Sequence, residues 1–170
     1  MISRKKEFLI NSVIAALFFV VLILHISGSV NLAILTATPV VVLPLLTAFA
    51  MFSSVTKCAV AGFICGVFMD SVMTRSVCFN SILLLCLGVG ICLTANHLFN
   101  KNVKAAVALA AIASSVYFVL VWAVFHAFGV GLQSSMTYLL GYAFPSAVYT
   151  AVFVFPFYFI FKHLNRLKTQ

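Results

Sequence analysis

The chain has 170 residues, of which 65% are apolar and 7% charged, with a net charge of +8 and a mean hydropathy of +1.24. A soluble domain is about half apolar and a quarter charged, so this composition excludes the soluble globular class and predicts an all-α, polytopic integral membrane protein. The apolar runs are continuous, without the alternation of a β-barrel strand. On a soluble protein the positive charge would suggest nucleic acid, but here it gathers at the ends of the apolar runs and reads as topology and contact with anionic membrane lipids, with no nucleic-acid partner.

Six spans are predicted in one membrane domain, at about 8–26, 32–52, 57–74, 80–98, 105–128 and 137–161. Each is long enough to cross a hydrocarbon core of about 30 Å at 1.5 Å rise per residue. The first run mimics a signal peptide, but its nineteen apolar residues, Phe8 to Ile26, fit a retained first helix. The breaks carry turn chemistry: SGSVN after span one, SS with Lys57 after span two, NKN after span four and GVGLQSS after span five. Arg4, Lys5, Lys6, Lys57, Lys101, Lys104, Lys162, Arg166 and Lys168 all fall on one side of such a bundle, and Arg75 alone on the other. The positive-inside rule then places both termini in the cytoplasm. The longest connection is about eight residues, so function has to reside in the spans, short loops and tails.

Span three carries GFICGVFMD, Gly62 to Asp70. Gly62 and Gly66 form a small-xxx-small pair, with Ala59 and Cys65 extending the small side chains near it. Such a pair lets two helix backbones approach closely, either within the bundle or against another protein's helix. Asp70 is one of only two acidic residues and lies about one turn before the outer end of the span. A carboxylate in a membrane span is costly and calls for a partner. Arg75, five residues on, is the nearest cation, and the topology puts His25 and His126 in the same outer layer. Two readings stand: a local Asp70–Arg75 tie at a helix end, or a polar cluster of Asp70, Arg75, His25 and His126. A metal centre is not expected, since no ligand pair has helical i, i+3 or i+4 spacing. The five cysteines lack CxxC pairs and read mostly as small buried hydrophobes.

In span six, Pro145 and Pro156 each remove a backbone donor and are expected to kink the helix. Trp122, Tyr138 and Tyr142 fall near the outer interface as an aromatic belt. The chain has no Walker motif, nucleophile elbow or HExxH sequence, so no enzymatic activity, catalytic residue or cofactor is expected.

Six spans in about 170 residues, GFxxGxxxD on the third and a Pro-xx-Val-Tyr-Thr run in the last resemble MreD, the bacterial rod-shape-determining membrane protein family. Gly62, Phe63, Gly66 and Asp70 match the family's GF-xx-GL-xx-D spacing, with Val67 for the usual leucine. Pro145, Val148, Tyr149 and Thr150, followed by KHLNRLK, match the last span, with Ser146 in place of the family's acidic residue. Asn31 and Leu32 match the opening of span two, where Val30 stands for proline. The family usually carries glycines after the aspartate, where this chain has Thr74 and Cys78, which makes it a divergent member. The resemblance implies a non-enzymatic scaffold of the cell-elongation machinery in the bacterial cytoplasmic membrane. It would bind an MreC-like bitopic protein directly and, through it, share a complex with MreB, RodA and a penicillin-binding transpeptidase. A homodimer is a further candidate assembly.

Two other classes fit the size. The substrate-binding membrane subunit of an energy-coupling-factor type vitamin transporter has six spans, but it predicts a polar-lined pocket open to the outside. A membrane enzyme acting on lipid-linked substrates needs a base and a cation site, and Asp70 with a histidine offers too little.

Overall fold

A computed structural model describes residues 4–26, 40–72, 78–97, 102–125 and 144–169. Every regular element among them is helical: α1 (Arg4–Ile26), α2 (Val42–Ala50), α3 (Val55–Val72), α4 (Phe79–His97), α5 (Val103–Phe125), and a last helix in two segments, α6 (Phe144–Val152) and α7 (Val154–Thr169). Among the described residues, four helices are long and apolar enough to cross a membrane: α3, α4, α5 and the α6–α7 pair over Pro145–Arg166. The apolar part of α1, Leu9–His25, is somewhat shorter. The chain is thus all-α among the described residues, with several helices long and apolar enough to cross a membrane, as its composition predicts.

The differences in boundary have simple causes. Helix α1 begins at Arg4 rather than at residue 8, because a helix continues through RKKE after it leaves the apolar layer. The last helix likewise runs on to Thr169 through KHLNRLKT, beyond the predicted end at 161. Residues 32–39 and 137–143 of the predicted spans lie outside the described residues, as do Tyr138 and Tyr142.

Helix α2 is the hub. All nine of its residues are buried, and it touches every other helix. Its sequence, VLPLLTAFA, has no polar face to turn outward, so enclosure on every side is what its chemistry allows. Pro44 sits in the first turn, where a missing N–H breaks no helical bond. The one polar side chain, Thr47, donates to the Pro44 carbonyl at 2.9 Å. Just ahead of α2, the Val40 N–H donates to Thr150 Oγ1 at 3.2 Å, and that hydroxyl donates to the Ser146 carbonyl at 2.6 Å. Thr150, fully buried on α6, thereby satisfies a backbone group that an apolar surrounding would otherwise strand.

The two prolines of the last helix sit in different segments. The helix breaks at Phe153, whose N–H bonds to the Thr150 carbonyl at 3.2 Å, an i→i−3 closure. Pro156, three residues on, lacks the N–H that would bond the Val152 carbonyl, and its ring crowds that carbonyl. Pro145 is the second described residue of α6, and the residues before Phe144, where its expected kink would fall, lie outside the described residues. After the break, α7 passes from α5 to α1 beneath the C-terminal end of α2. Val154 and Tyr158 pack with Ala105, Ala106 and Leu109 of α5, and Phe161 meets Phe18 of α1 and Phe49 of α2.

The cysteines divide. Cys58, Cys65 and Cys92 are buried, as their apolar setting predicts, but Cys78 and Cys86 are exposed. Cys86 lies on the outward stripe of α4 with Ile82 and Leu93, and Cys78 lies ahead of that helix.

Candidate functional site

The site is the junction of α3 with α4, the most extensive helix pair in the bundle. The buried residues of α3 are Cys58, Gly62, Cys65, Gly66 and Met69, a stripe at helical spacing that faces α4. The pair runs antiparallel, with Gly62 against Leu84 and Gly66 against Ser81, while Gly88 of α4 lies against Cys58. A Cβ at Gly62 would overlap the Leu84 carbonyl oxygen. At Gly66 it would lie 2.6 Å from the Asn80 carbonyl oxygen and 2.7 Å from the Ser81 nitrogen. These neighbours are backbone and cannot rotate away, so only glycine permits this approach. Phe63, grouped with the glycines in the sequence motif, points outward and is 47% exposed.

Asp70 continues the same face, at i, i+4 and i+8 from Gly62. Its carboxylate crosses to the first turn of α4. Oδ1 accepts from the Asn80 N–H at 3.0 Å, and Oδ2 accepts from the Ser81 N–H at 2.8 Å and the Ser81 hydroxyl at 2.6 Å. Asn80 and Ser81 are the second and third residues of α4, so these N–H groups have no carbonyl acceptor within the helix. A carboxylate there also sits favourably at the positive end of the helix dipole. The hydroxyl of Tyr117 on α5 donates to Asn80 Oδ1 at 3.0 Å, which ties a third helix to the junction.

The reason for an external cap lies at Cys78. This residue precedes α4, and its carbonyl accepts the first helical bond from the Ile82 N–H at 3.2 Å. A cap residue is normally Ser, Thr, Asp or Asn, whose oxygen takes an N–H of the first turn. Cys78 has no such oxygen and sits at φ 64°, a left-handed conformation that favours glycine. Cys78→Gly is therefore expected to raise stability by about 1 kcal/mol. Detergent unfolding of the purified variant checks this, and no gain would mean that the backbone at 78 carries no strain.

Neither sequence reading of Asp70 named this partner. Arg75 and His126 lie outside the described residues. His25, half-buried in the last turn of α1, makes none of the carboxylate's hydrogen bonds. Among the described residues no three His, Cys, Asp or Glu side chains gather as a metal site. Of the last-span motif, Pro145 is half-buried, Val148 is exposed and Thr150 is the buried hydroxyl that meets Val40; the Tyr149 side chain lies outside the description.

A second feature is a cleft of about 690 Å³ between α1, the α2–α3 turn, α3 and α7. Its walls are mostly apolar, among them Ile14, Phe18, Leu22, Ile64 and Phe68. Its polar lining consists of Asn11, Ser53, Ser54, Thr56, Lys57 and Asn165 apart from one thiol.

No family model, curated protein or solved structure matches the chain.

Proposed function

We propose that this chain is a non-enzymatic membrane scaffold subunit of a bacterial cell-elongation complex, the role implied by its resemblance to MreD. One observation supports it above the others. Gly62, Gly66 and Asp70, on which the resemblance chiefly rests, act together as one device that fixes α3 to α4. The acid of the motif is engaged with backbone N–H groups, so the motif serves the rigidity of the bundle rather than a reaction. In this reading the protein sits in the cytoplasmic membrane with both termini inside. An MreC-like single-pass protein is its direct partner, with MreB, RodA and a penicillin-binding transpeptidase in the same assembly.

The vitamin-transporter alternative asks for a polar-lined pocket that opens outward. The cleft is apolar over most of its wall, and its one charged residue, Lys57, belongs to the side that the charge bias makes cytoplasmic. Affinity capture from membranes in mild detergent separates the two. Recovery of a single-pass protein with a large external domain, with loss of rod shape on depletion, is the expected result. Recovery of a paired ATPase with its coupling membrane subunit would overturn the scaffold.

A further inference from the structure

From its geometry and charge we infer that the α1–α3–α7 cleft is a binding site for one anionic phospholipid, its acyl chain along the cleft and its phosphate at Lys57. The site does not depend on the scaffold reading. Size is the first ground. Lys57 and Phe68 mark the length of the α3 wall, eleven residues apart, or about 16 Å at helical rise. That is roughly half of a 30 Å hydrocarbon core, the depth of one leaflet. The α3 wall thus matches the length of one extended acyl chain within a leaflet.

Access and polarity agree with an amphiphile. Ile64 and Phe68 are 46% and 40% exposed, so the apolar wall opens sideways, where lipid chains lie. The polar residues of α1 and α3 instead lie toward the N-terminal ends of those helices: Asn11 on α1, and Thr56 and Lys57 on α3, with Ser53 and Ser54 in the turn just before it. A lipid with a chain in the apolar part and oxygens at this end matches both.

Charge selects the headgroup. Lys57 is the only charged residue lining the cleft, and it is exposed. Among the described residues it makes no hydrogen bond or ion pair. The chain has two acidic residues for ten basic ones, and Asp70 is engaged thirteen residues up α3 at the start of α4. The first turn of α3 adds N–H groups without helical acceptors at the same end. A phosphodiester supplies the missing negative charge.

The test is retention of phosphatidylglycerol against phosphatidylcholine by the purified full chain, read by native mass spectrometry in detergent. Phosphatidylglycerol is expected to bind about fivefold more tightly, the worth of one lysine beside an anionic lipid. Lys57→Gln should remove that preference, and Ile64→Trp should reduce retention of both lipids by filling the cleft. Lys104→Gln, at an exposed site on α5 away from the cleft, should leave the preference intact. Equal retention of the two lipids overturns the site, as does a Lys104→Gln loss as large as that of Lys57→Gln. So does a photoreactive residue at position 64 that captures a polypeptide instead of lipid in membranes. Thermal melting of each variant at the wild-type temperature shows that the comparison is made on folded protein.

Discussion

Asp70→Ala is expected to lower the stability of the folded protein by about 3 kcal/mol, in unfolding by a denaturing detergent added to mild micelles. The substitution leaves the N–H groups of Asn80 and Ser81 without their acceptor, and those residues are only 5% and 2% exposed. Each stranded buried donor costs about 1–3 kcal/mol, and the loss of a negative charge at a helix start adds to it. Asp70→Asn should fall between, because its one oxygen serves one N–H while its amide group opposes the other. Asp70→Glu should not restore stability, since the close approach at Gly66 leaves no room for a longer arm. An alanine variant as stable as the parent that loses its partner would move the carboxylate from the bundle to an intermolecular contact.

The second large effect belongs to Gly66. Gly66→Val drives a branched side chain into the backbone of Asn80 and Ser81, so α3 and α4 have to separate. Overpacking against side chains costs about 1–3 kcal/mol; against backbone the loss is expected at the top of that range or above it. Separation also carries Asp70 out of reach of its donors, so combining Gly66→Val with Asp70→Ala should cost less than the sum of the two. Gly90 supplies the control. A Cβ there meets nothing within 4 Å, and Gly90→Ala should be neutral or stabilising by up to about 1 kcal/mol through helix propensity. Equal losses at Gly66 and Gly90 would show that close packing is not what the glycine provides.

Much of this junction is legible in the sequence. The spacing of Gly62, Gly66 and Asp70 places all three on one helix face, and the cost of burying an acid demands a partner for it. The identity of that partner is not legible, because a cap supplied by another helix leaves no local pattern. Nearness in sequence points to Arg75, which lies outside the described residues, and gives no hint that the carboxylate also reaches ten and eleven residues along, past the turn. One signal did exist: helix α4 starts from Cys78, a residue that cannot cap it, and Asp70, an acid inside an apolar run, stands eight residues before it. The centrality of α2 is equally hidden. Lipid tails and protein interior are alike apolar, so a run such as VLPLLTAFA reads the same in either setting. Pro156 announces its break correctly, three residues after the interruption at Phe153.

The enclosure of α2 also orders assembly. That enclosure is complete only once α3, α4 and α5, all later in the chain, have gathered around the helix. Its final wall comes from α6 and α7, and the latch between Val40 and Thr150 joins residues 110 positions apart. Without that latch, one side of α2 lacks its cover and the Val40 N–H lacks its acceptor. Closure of the interior is therefore a late and long-range event, and the last helix acts as the keystone of a vault whose central stone was set almost first.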